Sequence, residues 1–253
     1  MPRRARNKSE SGIYHIMLRG INKQSIFEDD EDREKFLQIL TECKEICKFQ
    51  LFAYCIMGNH IHLLIKVEKE PLEQIFKRIG ARYVYWYNWK YRRSGHLFQD
   101  RYKSEPIEDD SYFLVVLRYI LQNPVKVGLC QTLKEYKWSS YNDYINEKGI
   151  TDIDFGLNIL SSEKNKVIEI FTAYMNEPNE DKCLEFDEIN KRITDDELKI
   201  IVENDFNIKP MMIQNEPRDK KQELLRKILK IEGVSTRQLA RITGISANII
   251  WRL

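Results

Sequence analysis

Gln50-Leu51-Phe52-Ala53-Tyr54-Cys55-Ile56-Met57-Gly58-Asn59-His60-Ile61-His62-Leu63-Leu64-Ile65-Lys66-Val67 is the stretch that decides the fold. Its two apolar arms flank a Gly-Asn turn signal, so residues 50–57 and 60–67 read as the strands of a hairpin. Upstream, Gly12-Ile13-Tyr14-His15-Ile16-Met17-Leu18-Arg19-Gly20 reads as another strand. Between them Asp29, Asp30 and Asp32 charge and cap a helix start. That helix reaches about Lys48, with Phe36, Leu37, Leu40, Cys43 and Ile46 near helical spacing. Downstream, Pro71 opens a helix to about Tyr91, and 92–95 turns. Tyr102 to Glu108 supplies a fourth strand. Asp109, Asp110 and Ser111 start a third helix, which Pro124 is expected to end. This order predicts an α+β fold: a ferredoxin-like antiparallel sheet with helices on one face, followed by an all-helical C-terminal region ending in a helix-turn-helix. Residues 125–150 read as a peripheral tail.

The 253 residues are 42% apolar, enough for a sizeable core. The net charge of +2 hides its distribution: residues 1–150 carry net +5, 151–216 net −9 and 217–253 net +6. This divides the chain into a first domain over 1–150, an acidic helical linker over 151–216 and a small basic helical unit over 217–253. Either basic block could face a polyanion. No apolar run approaches the roughly 18 residues that span a bilayer, and no apolar stretch follows the basic start as in a signal peptide. The five cysteines form neither a disulfide framework nor a zinc pattern and read as free thiols of a cytoplasmic protein.

His60 and His62 share one face of their strand, because side chains alternate. Both imidazoles can approach one divalent cation or one phosphate oxygen; equally, they could be a half-buried pair with no ligand. Two imidazoles are too few to hold a metal well, so a third ligand must come from elsewhere. The closing helix offers one. Tyr119 and Asn123 in Arg118-Tyr119-Ile120-Leu121-Gln122-Asn123-Pro124 are four apart and share a helical face. Asn123 presents an amide oxygen suited to Mg²⁺ or Mn²⁺. The alternatives are that Tyr119 is a core ring and Asn123 a helix stop.

The ordered blocks GIYHIMLRG, MGNHIHLLI, SGHLFQDRYKSEPI, RYILQNPVKVGL and YKWSSY resemble the single-tyrosine (Y1, IS200-like) transposase family, and more narrowly the tyrosine transposases associated with repetitive extragenic palindromes. The resemblance covers roughly residues 10–145. It implies a metal-dependent single-stranded DNA endonuclease and strand transferase. His60 and His62 would be metal ligands, Asn123 the third, and Tyr119 the nucleophile. The implied partner is hairpin DNA flanked by a single strand, and the protein would act as a monomer or homodimer. A phenol of pKa about 10 needs activation, and the metal would act on the phosphate. Attack would leave a 5′-phosphotyrosine and a 3′-hydroxyl. Histidine ligands must be neutral, so activity is expected to fall below about pH 6.

Residues 71–103 carry eight basic, two acidic and nine aromatic side chains. Cations track phosphates and rings stack on unpaired bases, which suggests a single-strand platform using Arg82, Lys90, Arg92, Arg93 and Arg101. Tyr83, Trp86 and Tyr87 fall at core-facing spacing. In the last block Ser235 and Ser246 stand at helix-capping positions around a Gly244 turn, with Ile245 and Ile250 between the helices. Ser246, Asn248 and Arg252 would then face a duplex groove. Two other readings stay open on the residues: a non-catalytic, sequence-specific DNA-binding regulator using the helix-turn-helix, and an RNA reader. An RNA reader should carry aromatics on sheet strands, whereas here they crowd a helix.

Overall fold

The computed structural model describes residues 7–99, 101–181, 183–184, 195–231 and 233–252. The chain divides into two compact units, Met1–Glu185 and Phe186–Leu253.

The first unit is built on a four-stranded antiparallel sheet of order β2-β3-β1-β4, from β1 (Ile13–Arg19), β2 (Gln50–Ile56), β3 (His60–Lys66) and β4 (Lys103–Ile107). The β2–β3 hairpin closes over Gly58-Asn59, with the amide of Met57 donating to the carbonyl of His60 at 2.8 Å. Helix α1 (Asp30–Cys47) starts with the expected acidic cap, as the Asp29 carboxylate accepts from the Asp32 amide. Helix α2 (Leu72–Lys90) lies beside it.

Strand alternation sorts the sheet into two faces. Tyr14, Ile16, Leu18, Ile61, Leu63 and Ile65 form one core with α1 and α2. Ile13, Leu64, Ala53, Cys55 and Ile107 form another with α3 (Asp110–Lys126). A register shift between Leu51 and Ala53 puts Phe52 and Ala53 on this second face together. The ferredoxin-like sheet is therefore as expected, but helices cover both of its faces: α1 and α2 take one, and α3 takes the other because the sheet's second face is equally apolar. Helix α3 also runs through Pro124 to Lys126, the proline being accommodated in its last turn.

Residues 125–150 are no peripheral tail. Trp138, Tyr141 and Tyr144 are buried, and the strip pairs along the β2 edge through Ile56 N to Trp138 O and Ser140 N to Tyr54 O. Helix α4 (Tyr141–Asn146) follows, then α5 (Asp154–Leu160) and α6 (Val167–Asn176). Phe171 stacks on Tyr144 with centroids 4.5 Å apart, and Val167, Phe171 and Met175 complete the core under α3. The compact units thus divide at 185/186, not at the 150 and 216 boundaries drawn from charge. Asp154 and Glu169 are the only charged residues of α5 and α6, so the net charge of 151–216 comes mainly from outside these two helices and gives no sign of their packing.

The second unit contains α7 (Asp195–Phe206), α8 (Arg218–Leu229), α9 (Thr236–Thr243) and α10 (Ala247–Trp251). Leu198, Val202, Ile213, Leu225, Ile228, Leu239, Ile242, Ile245 and Ile250 form its core. Ser235 caps α9 by accepting from the Gln238 amide, and Gly244 follows with φ of 73°, the left-handed region glycine adopts without strain. Ser246 precedes α10 but makes no side-chain cap bond. No helix among the described residues is long and apolar enough to cross a membrane.

Candidate functional site: an imidazole cluster facing a tyrosine helix

His60 begins β3 half-buried, and His62 sits fully inside at 1% exposure, their rings 5.0 Å apart and edge to face. Asn59 orients His60. Its amide nitrogen donates to the carbonyl of Lys23 at 3.1 Å, which turns Oδ1 toward Nδ1 of His60 at 2.7 Å. An amide oxygen only accepts, so Nδ1 of His60 carries the proton and Nε2 is left as a lone pair. His62 meets a third histidine, His15 of β1, with Nδ1 of His62 3.0 Å from Nε2 of His15. His15 is completely buried and stands opposite Glu105 in the β1–β4 register. Burial holds both His15 and His62 below the ordinary imidazole range; neighbouring imidazoles lower His62 further, while Glu105 partly offsets the effect at His15. His15 and His62 are thus poised neutral, the form that offers lone pairs.

Helix α3 lies over this face and brings Tyr119 against it. The phenol ring is edge-on to His15 at 5.9 Å and to His62 at 5.7 Å, and only 4% exposed. The Lys126 ammonium sits 5.6 Å from the ring centre. Asn123 is buried one turn beyond Tyr119 on the same helix. Among the described residues no group of three or more His, Cys, Asp or Glu side chains is spaced to hold a metal ion. The donor set is therefore two imidazoles, one with its Nε2 lone pair fixed. It fits a divalent cation whose remaining ligands are neutral oxygens, such as an amide, water or substrate.

A family described as "Transposase IS200 like" matches residues 8–123, from just before β1 to Asn123. Residues 8–123 are thus similar to the IS200-like transposase family. A Haemophilus influenzae protein named as a REP-associated tyrosine transposase is 32% identical over 114 residues, 39% of this chain; the chain spans 64% of that relative's length. A solved structure, a REP-associated tyrosine transposase bound to a REP hairpin, matches with a TM-score of 0.52. It is 15% identical and covers 61% of this chain and 96% of its own, a likeness of fold.

Beyond the IS200-like segment, the chain returns to hold the tyrosine helix. Arg118, next to Tyr119, is buried and donates to Asp181 at 2.9 Å and Glu177 at 3.2 Å, its guanidinium stacked 4.4 Å over Tyr174. Gln122 donates to the carbonyls of Met175 and Glu177 and accepts from Asn179, which also accepts from Lys126. The sequence reading missed His15, Glu105 and Arg118. A signal existed for two of them: His15 interrupts an apolar strand, and Arg118 interrupts the apolar run of α3.

The expected cationic contacts separate into different classes. Lys90 is engaged elsewhere: its ammonium bonds Asp29, Glu31 and Asp32 at 2.8 to 2.9 Å. Burial opposes its charge, but these carboxylates hold it above the usual lysine range. Lys90 therefore ties α2 to the start of α1 and is not available to a phosphate. Arg82 pairs with Glu42 at 2.9 Å on the surface, and Arg93 donates to the carbonyl of His96 at 3.1 Å. Arg92 and Arg101 are exposed. Arg101 lines a cleft of about 440 Å³ with Ile21, His96 and Phe98. This cleft opens where β1 ends, and there Gly20 donates to the carbonyl of Asn59 beside His60. Tyr83 and Tyr87 are core, as their spacing implied, whereas Tyr85 and Trp89 are 77% and 71% exposed one helical turn apart. In the second unit Ser246, Asn248 and Arg252 are all exposed at α10.

Proposed function

We propose that this chain is a divalent-metal-dependent single-stranded DNA endonuclease and strand transferase with Tyr119 as its nucleophile. The observation that carries the reading is the packing of Tyr119 against the buried imidazole cluster, 5.7 Å from His62. The Tyr119 phenol oxygen forms a bond to phosphorus at a DNA linkage. The bond from phosphorus to the 3′ oxygen breaks, and that oxygen leaves as a 3′-hydroxyl after taking a proton. The product is a 5′-phosphotyrosine, and a 3′-hydroxyl from another strand reverses the exchange. Nε2 of His60 and His62 would hold the cation, Mg²⁺ or Mn²⁺, with the amide oxygen of Asn123 as third protein ligand. A cation bound there polarises a non-bridging phosphate oxygen and neutralises charge on the attacked group.

The substrate we propose is hairpin DNA with a single-stranded flank, by analogy with the REP hairpin bound in the structural relative. The exposed pair Tyr85 and Trp89, with Arg92 and Arg101 nearby in sequence, suits stacked bases and phosphates. The unit with α9 and α10 adds duplex contact through Ser246, Asn248 and Arg252, the same surface that a non-catalytic regulator would use. The test is incubation of the full chain with a hairpin oligonucleotide and Mn²⁺, followed by denaturing electrophoresis. A covalent protein–DNA band in the parent and none in Tyr119→Phe supports the reading. A band of equal strength in Tyr119→Phe removes Tyr119 from the mechanism. DNA binding with no adduct in the parent favours the regulator.

A further inference from the structure

We propose that Glu105 and His15 are positioning residues that fix the tautomer of His62, leaving its Nε2 as the lone pair that takes the metal. The inference rests on the metal-binding reading above and extends it to residues that reading does not use. It starts from strand pairing. His15 lies opposite Leu64 in the β1–β3 register and opposite Glu105 in the β1–β4 register, while His62 is one row away, opposite Met17. Alternation places His15, His62 and Glu105 on the same face, under α3. Glu105, His15 and His62 therefore form a chain running across the sheet toward the site.

The proton count follows from what each group can accept. Nε2 of His15 is 3.0 Å from Nδ1 of His62, so one of the two nitrogens carries the proton between them. Nδ1 of His15 has no hydrogen-bond partner among the described residues; the polar atom it faces is Oε2 of Glu105, at 3.6 Å. That is longer than a hydrogen bond, but a carboxylate only accepts, and across this gap its charge favours an N–H over a lone pair. A neutral imidazole has a single N–H. If it is on Nδ1 of His15, Nε2 of His15 is the acceptor and Nδ1 of His62 is the donor. Nε2 of His62 is then bare. His60 takes the same tautomer by a separate route, through the oriented amide of Asn59. Two histidines on one strand face thus carry their proton on the same nitrogen, Nδ1, each fixed by its own partner. Glu105 is itself held in place, accepting from the backbone amide of Leu184 at 3.2 Å. Orienting partners of this kind fix ring and tautomer in metal sites generally.

The test reads tautomers directly, in metal-free full-length chain carrying ¹⁵N-labelled histidine, by long-range ¹H–¹⁵N correlation at pH 7.5. The expected result is an Nδ1 proton on His15, His60 and His62. Glu105→Gln, in which the side chain can donate as well as accept, should shift His15 and His62 toward the other tautomer and leave His60 unchanged. Mn²⁺ affinity, followed by electron paramagnetic resonance, should fall about 10- to 100-fold, the usual cost of losing an orienting partner. Thermal unfolding verifies that the variant is folded, and His15→Gln gives a second perturbation of the same chain. An Nε2 proton on His62 in the parent overturns the proposal, as does a folded Glu105→Gln with parental tautomers and an Mn²⁺ affinity within twofold of the parent. Failure of the metal reading looks different: Mn²⁺ binding absent from the parent, or unaffected by His60→Ala. That outcome would remove the purpose of the relay even with all three tautomers as expected.

Discussion

Replacing Lys90 separates a DNA contact from an internal tie. Its ammonium is bonded to three carboxylates, and its side chain is only 17% exposed. Asp29 and Glu31 are 51% and 68% exposed, so water takes over much of their solvation when the cation is lost, and those two pairs are worth little. Asp32 is different, with a side chain at 0% exposure. Breaking a buried ion pair by removing one partner costs about 3–5 kcal/mol. Asp32 retains acceptor bonds from the Glu28 amide and the Tyr91 hydroxyl, which lowers the figure to about 2 kcal/mol for Lys90→Met. For a unit of this size that is about 4–8 °C in Tm. The assay pairs thermal unfolding with fluorescence anisotropy on a labelled single-stranded oligonucleotide. The expected result is a clear loss of Tm with affinity within about twofold once the variant is held folded at low temperature. An unchanged Tm with a loss of affinity of about tenfold would return Lys90 to the DNA surface.

Other substitutions probe the stacking surface, the α3 clamp and the buried imidazoles. Tyr85→Ala and Trp89→Ala remove exposed rings, so each should weaken single-strand binding by about 1–3 kcal/mol with little change in Tm; unaltered anisotropy would dismiss the stacking surface. Arg118→Met strips the buried partner from Asp181 and should cost about 2–3 kcal/mol, read as a lower urea midpoint, and a double-mutant cycle with Asp181→Asn should show positive coupling. Additive effects there would mean that 177–181 does not clamp α3. Burial holds the pKa of His15 and His62 below that of the unfolded chain. The unfolded state therefore binds more protons as pH falls, and stability present above about pH 6.5 should drain away below it. A urea midpoint in metal-free buffer that is no lower at pH 5 than at pH 7.5 would contradict that sign.

Local patterns carried much of this structure. The period-two hairpin predicted the shared face of His60 and His62, and four-residue spacing predicted the shared turn of Tyr119 and Asn123, because both depend only on backbone geometry. The aromatic stripe of α2 sorted its core rings, Tyr83 and Tyr87, from its exposed ones by the same logic. What depends on distant partners was not legible. Lys90 looks like a free cation until its carboxylates, 58 to 61 residues away in sequence, fold beside it. His15 meets His62 and faces Glu105 only when β1 takes a register between β3 and β4. The acidic stretch misled for a different reason: a sum over 151–216 is dominated by acids outside α5 and α6 and says nothing of the apolar residues within them. The Val167, Phe171 and Met175 stripe, at i, i+4 and i+8, was the readable sign that α6 packs into the core.

The proposed reaction links the Tyr119 oxygen to a DNA 5′ phosphate beside the histidine cluster. The most direct measurement is peptide mapping by tandem mass spectrometry of the adduct formed on hairpin DNA with Mn²⁺. The expected result is a nucleotide phosphate on the peptide containing Tyr119, with a free 3′-hydroxyl on the released strand. A phosphate carried by any other residue, or a released strand ending in 3′-phosphate, would contradict it.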